Sequence, residues 1–287
     1  MRPWRSKART ATLFRMPTAP MIAPLTDRAL VQMGGPDWRR FLQGLLTQDV
    51  DSLAPGEIRF AALLTPQGRL LFDLFVIGTD DGCLIDCAAD RREALIQRLT
   101  LYRLRAKVEI AASDVAVEAL WGGAAGEGWL ADPRLPALGF RGCGVAPPPG
   151  ARCADLAAYE ALRLALGVPG AADWGEDRTY PIEADFDLLG GIDFRKGCFV
   201  GQETTSRMKR RGTLKTRIAP IAFEGPAPAP GSELLAGELR AGETLSGADG
   251  RAMALLRLDR ADVCPRLLPD GRPWRPLWPD WMPRTPG

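Results

Sequence analysis

Histidine is absent from this 287-residue chain, and so is asparagine. The first absence removes Ser-His-Asp and Cys-His catalysis, imidazole acid/base work and every histidine-bearing zinc site. Any chemistry must run on thiol, carboxylate, amine, guanidinium or hydroxyl groups. The second leaves no N-glycosylation acceptor and nothing that argues for secretion. The six cysteines (Cys83, Cys87, Cys143, Cys153, Cys198, Cys264) are too sparse for a disulfide scaffold and form no CxxC pair, which points to a reducing, cytoplasmic home. Long apolar runs are missing: the best candidate, Leu70 to Ile77, is interrupted by Asp73 and falls far short of the ~18 residues of a spanning helix. Nucleotide-binding loops are missing too, because Gly122, Gly123, Gly126 and Gly128 do not form GxGxxG and no GxxxxGK[ST] occurs.

What is present is a globular composition, 46% hydrophobic and 25% charged, with length for two or three domains. Residues 1–20 carry Arg2, Arg5, Lys7, Arg9 and Arg15 and no acid, and they read as a disordered, removable tail; in a eukaryote the same segment reads as a mitochondrial presequence. After Gly35-Pro36-Asp37, the residues Trp38, Phe41, Leu42, Leu45 and Leu46 fall on one helical face. Runs at 57–65 and 70–77, and a third ending near Cys87, predict an antiparallel meander. A helix is expected from about Asp90 to Arg105, followed by strands at 107–111 and 115–121. The Gly/Pro-punctuated stretch 122–150 reads as a linker or excursion between domains. Asp155 should cap a helix that Gly167 ends. Beyond Thr213 the short β-like runs suggest a small barrel, wrapped by a C-terminal stretch holding Trp274, Trp278 and Trp281 among prolines.

Cys83 and Cys87 lie four apart in a strand-like run and read as small buried hydrophobes, and Cys143, Cys153 and Cys264 take the same reading. Cys198 differs. It sits in Arg195-Lys196-Gly197-Cys198-Phe199-Val200-Gly201-Gln202-Glu203, where cations favour thiolate, the form that is both nucleophile and soft-metal ligand, and glycines permit tight turns and close approach. From Arg195 to Arg217 eight basic residues face a single acid, Glu203. Were that segment a strand, Arg207, Lys209 and Arg211 would share a face suited to carboxylates or phosphates. The acidic body and the lack of interleaved aromatics argue against nucleic acid.

The run K-G-C-F-V-G-Q-E at 196–203 resembles the signature of the YgfZ/IBA57 family of folate-binding proteins that assist iron–sulfur cluster assembly and repair. Phe41 to Asp49, Tyr102 to Val108, Glu160-x-x-Arg163-x-x-x-Gly167-Val168-Pro169 and Pro181-x-Glu183 accompany it in the family's order. The resemblance covers roughly residues 25–260. It implies an α+β fold of the glycine-cleavage T-protein type, three domains in a ring. Residues 21–212 would form two interleaved domains around a folate-sized channel, and 213–287 a C-terminal β-barrel. It further implies tetrahydrofolate or a derivative as cofactor, with Arg163, Gln202 and Arg207 as contacts, and Cys198, assisted by Lys196 and Glu203, as the working thiol. A lone cysteine suits a transient iron–sulfur cluster shared with a partner, such as an A-type carrier protein or a cluster-containing client enzyme. The alternatives are a folate-dependent aminomethyl transferase and a basic-patch interaction module. Against the transferase, Ala165 stands where those enzymes carry a folate-contacting Glu, and their catalytic Asp segment aligns with Asp86 and Glu93.

Overall fold

The computed structural model describes residues 17, 19–212 and 214–283, so most of the expected tail lies outside the described residues. The chain opens with β1 (Met21–Pro24) and β2 (Arg28–Gly34), then the short helix α1 (Trp38–Gln43). The meander follows as β3 (Ile58–Leu64), β4 (Leu70–Gly78) and β5 (Gly82–Ala88), and then α2 (Arg92–Arg103) and β6 (Glu109–Ser113). Strands β2 to β6 make one sheet in the order β3-β4-β5-β2-β6.

Alternation in β3 explains why that run is apolar throughout. Phe60, Ala62 and Leu64 enter one hydrophobic core, while Ala61 and Leu63 enter another on the opposite face. Successive side chains point to opposite sides of a strand, so a strand covered on both faces loses its polar positions.

The second sheet takes β1 together with β7 (Val117–Trp121), β8 (Leu130–Ala131), β9 (Phe140–Cys143) and β10 (Arg152–Cys153), in the order β10-β1-β7-β9-β8. The stretch 122–150 is therefore not a linker. It supplies β8 and β9, and Trp129 within it is buried. Its glycines mark the turns of a sheet, and two-residue strands leave too little alternation to register in sequence.

Helix α3 (Leu156–Leu166) starts where Asp155 Oδ1 accepts from the Ala158 amide, and it ends at Gly167 with φ +70°. Helix α4 (Gln202–Arg211) leads to the third sheet: β11 (Thr216–Phe223), β12 (Glu233–Ala236), β13 (Leu239–Ala248), β14 (Arg251–Arg257), β15 (Arg266–Leu267) and β16 (Trp274–Pro276). Their order is β15-β12-β13-β14-β11-β16, a nearly closed barrel around Ile221, Leu234, Ala254 and Trp274. The C-terminal stretch packs on it as expected, Trp274 and Met282 entering its core with Trp278 and Trp281 against it, and Trp281 Nε1 also donates to the Leu166 carbonyl of α3 at 3.0 Å.

Between the first two sheets lies a buried ionic network. Arg28 pairs with Asp73 and Asp86 at 2.7 and 2.6 Å, Arg141 joins Asp86 to Asp132, and Arg134 pairs with Asp132 at 2.8 Å. Arg141 also lies 3.7 Å above the Phe75 ring. Three guanidiniums and three carboxylates balance one another, the condition under which buried charge is tolerable.

Candidate functional site

The motif at 196–203 forms a loop leading into α4, and both of its ends are fixed. At one end Lys196 turns inward: its Nζ donates to the carbonyls of Gln43, Leu46 and Gln48 at 2.8, 2.6 and 3.0 Å. These carbonyls lie at and just beyond the C-terminal end of α1, where a cation is favoured by the helix dipole and by unpaired acceptors. Burial lowers the ammonium to about 8, against the opposing pull of the Asp49, Asp51 and Asp193 carboxylates. Lys196 is thus a brace whose donors are taken. Arg195, three residues before the thiol in sequence, is exposed.

At the other end Gly201 has φ +81°, and a Cβ there would stand 2.7 Å from the Thr65 carbonyl and 2.9 Å from the Gly68 Cα. Gly68, with φ +86°, would in turn push a Cβ against Thr204. Two glycines are therefore packed back to back, joining the motif to the turn between β3 and β4. Gly197 contrasts with both, since a Cβ there meets nothing within 4 Å.

The segment before the motif is stitched down as well. Thr47 Oγ1 donates to the Gly191 carbonyl at 2.6 Å and accepts from the Ala62 amide, and Gln48 Nε2 donates to the Gly190 carbonyl. The separate stretches of sequence that carried the resemblance, 41–49 and 196–203, meet here.

On this platform Cys198 is exposed, whereas Cys83 and Cys87 are buried and burial pushes their thiols up to about 12. Cys143 is partly buried and raised in the same way, to about 12. Cys153 and Cys264 are exposed, which corrects their reading as buried hydrophobes. What sets Cys198 apart is the rigid support around it. Among the described residues no group of three or more His, Cys, Asp or Glu side chains stands together as a metal-ligand set.

Residues 202–211 are a helix, not a strand, so Arg207, Lys209 and Arg211 do not share one face. Glu203 at its start and Lys209, Arg210 and Arg211 at its end suit the helix dipole, and Glu203 pairs with Arg207 one turn on. The stretch holds too few apolar residues to show helical periodicity; the Glu203/Arg207 spacing and Gly212 as cap were the available signals. Gln202 opens the helix, its amide donating to the Phe199 carbonyl. Arg163 lies elsewhere, buried, with its donors committed to Glu160, Asp173, the Val168 carbonyl and Ser246. Of the two residues aligned with the transferases' catalytic segment, Asp86 is closed off between Arg28 and Arg141, and Glu93, in the first turn of α2, is exposed.

A cleft of about 460 Å³ opens where the loop before β2, the start of β4 and the residues just after β5 meet segment 171–176. Phe72 and Trp174 contribute flat walls, and Arg91 stacks 4.9 Å from the Phe72 ring while pairing with Glu176 at 2.9 Å. Asp27 reaches the cleft, where partial burial raises its carboxyl above the usual range. Leu71 at the cleft wall lies three residues from Gly68, the motif's packing partner, so one strand entrance touches both sites. Composition gave no sign of this cleft, because its walls come from four distant segments.

Residues 215–284 match the family model for the C-terminal β-barrel domain of CAF17. The chain is 30% identical to human "Iron-sulfur cluster assembly factor IBA57, mitochondrial", over 83% of this chain and 74% of that protein. It is 31% identical to the mouse protein of the same name, over 72% and 67%, and 33% identical to the Coccidioides immitis homolog, over 72% and 59%. The chain thus spans less than two thirds of the Coccidioides relative, and 55% of the Neurospora crassa one. Among solved structures, glycine cleavage system aminomethyltransferase T from Bartonella henselae superposes with a TM-score of 0.67 at 16% identity, covering 85% of this chain and 80% of that one. The fold is that of the T-protein.

Proposed function

Because this chain belongs to the IBA57 family of iron–sulfur cluster assembly factors, we propose that it binds a reduced folate and serves cluster assembly or repair through Cys198. The observation that carries the reading is the braced, exposed thiol, fixed by Lys196 on one side and Gly201 on the other. A thiolate is the soft ligand that iron prefers, and a cluster needs about four. Cys198 supplies one ligand to a cluster in transit, and the others come from a partner, an A-type carrier or a client enzyme. The relatives are named as mitochondrial; we assign this chain to the cytoplasm, or to the matrix in a eukaryote.

We assign the folate to the cleft. A pterin is flat, with an amidine-like edge of two N–H donors, and the cleft offers aromatic walls, carboxylates and a volume within the ~300–1,000 Å³ of small-molecule sites. Asp27 is suited to accept from that edge, since it lines the cleft and, among the described residues, its carboxylate bonds to no residue other than its own backbone amide.

Two measurements test this. Cys198→Ser should abolish maturation of a cluster-dependent enzyme in a complemented strain at unchanged protein level, because a hydroxyl hardly ionises at neutral pH. Full rescue would remove the thiol from the mechanism. Titration with reduced folates should show binding that Asp27→Ala weakens, without aminomethyl transfer at rates on the order of 1 per second; such transfer would make the protein an enzyme of the T-protein type.

A further inference from the structure

The end of α2 and the turn after it carry a surface that neither packing nor the thiol site accounts for. Helix α2 buries Leu95 and Leu99, yet Leu101 is 69% exposed and Leu104, just past the helix end, is 89% exposed. Leu104 also sits at φ +44°, ψ −105°, a backbone region that bulky residues avoid. Glycine would occupy it at least cost, and a polar residue would suit the exposure. Between Glu93 and Glu109 the chain has four cations, Arg98, Arg103, Arg105 and Lys107, and no acid. None of these four is in an ion pair among the described residues.

The patch is tied to the thiol loop through α1. At the start of α1 the Lys107 amide donates to Asp37 Oδ2 at 2.7 Å, and the Asp37 amide donates to the Lys107 carbonyl. At its other end the Gln43 carbonyl accepts from Lys196. Six helical residues span about 9 Å, so one helix braces both regions within the footprint of an ordinary partner, roughly 800 Å² a side.

We infer that Leu101, Leu104 and the cations around them form the docking surface for an acidic protein partner, the one that exchanges a cluster at Cys198. The inference rests on the reading of Cys198 given above. Apolar side chains at the centre of an unpaired basic field fit a partner segment that presents aliphatic or aromatic residues among carboxylates. A protein fits better than a lipid surface, because the occupant must also bring thiolates to the neighbouring loop.

The test is binding of a cluster-loaded A-type carrier protein to the full chain. Leu104→Asp and Leu101→Asp should each weaken the dissociation constant by about tenfold or more, the range of a central apolar contact. Folate binding and melting temperature should not move, since both side chains face solvent. Arg103→Glu with Arg105→Glu should slow association and flatten its salt dependence. Leu239→Asp, at another exposed leucine on the barrel, should change nothing. If Leu104→Asp binds as well as wild type while Cys198→Ser still abolishes cluster transfer, the docking surface is wrong and the function stands. If the wild-type chain binds no carrier, the docking surface is wrong, and the function then rests on whether Cys198→Ser abolishes enzyme maturation. If wild type binds phosphatidylserine-rich vesicles and Leu104→Asp does not, the surface is a membrane one and the inference falls.

Discussion

Two glycines that look equivalent in sequence have opposite standing in the structure. Gly201 is held at positive φ against the Thr65 carbonyl, so Gly201→Ala should cost about 1–3 kcal/mol in chemical denaturation. Gly197 has open space around it, so Gly197→Ala should stay within about 0.5 kcal/mol of wild type. If the bare backbone beside Cys198 exists to let cargo or partner approach, the stable Gly197→Ala variant should be the one that loses enzyme maturation. Equal maturation by Gly197→Ala and wild type would show that the glycine is incidental. The motif and its cysteine were legible in sequence, but which glycine the fold requires was not. That depends on the turn at 65–69, far along the chain.

The join between α4, β11 and the segment 181–191 concentrates strain and charge. Asp185 is fully buried at φ +65°, one carboxylate oxygen pairs with Arg217, and the other has no hydrogen-bond partner among the described residues. Asp187 faces the same guanidinium at 3.1 Å, and Lys209 of α4 reaches Asp187 at 3.7 Å. Burial, opposed by Arg217 and reinforced by Asp187, pushes the Asp185 carboxyl up to about 8. The folded state then holds a proton that the unfolded chain releases near the ordinary carboxylate range, so this group's contribution to stability falls as pH rises through that range toward 8. Asp185→Asn removes the titration, keeps a residue that tolerates left-handed backbone, and leaves Arg217 its bond to Asp187. The melting temperature of Asp185→Asn minus that of wild type should therefore grow from pH 5 to pH 8 by at least ~2 °C and then level off. A flat difference would show that Asp185 titrates normally. Sequence showed this join poorly: α4 lacks an apolar stripe, and nothing marks Asp185 as buried, because its partner stands on another element.

Across the whole molecule, amphipathic patterning indicated helices, meander and barrel, and the family resemblance supplied their three-part arrangement. The arginines that cement the parts were not legible, since a buried arginine and a surface one look alike until their carboxylates are brought together. Arg163 shows the consequence. The resemblance implies a folate contact for it, yet it links α3 to the 170–173 turn and the barrel: Nη1 reaches Asp173 at 3.0 Å, Nη2 reaches Ser246 at 3.1 Å, and Asp173 accepts from the Ser246 amide. Removing it would leave the fully buried Asp173 carboxylate without its counter-ion, and stranding one partner of a buried pair costs about 3–5 kcal/mol. Arg163→Ala should thus lower the melting temperature by on the order of 10 °C. Arg163→Lys should recover only part of this, because a point charge cannot replace a planar fork with several acceptors. Measured well below the melting temperature, the folate affinity of Arg163→Ala should match wild type. An Arg163→Ala protein that melts normally but no longer binds folate would return this arginine to the ligand and make the domain joint depend on its remaining contacts, Trp281 to Leu166 and Arg251 to Ala165.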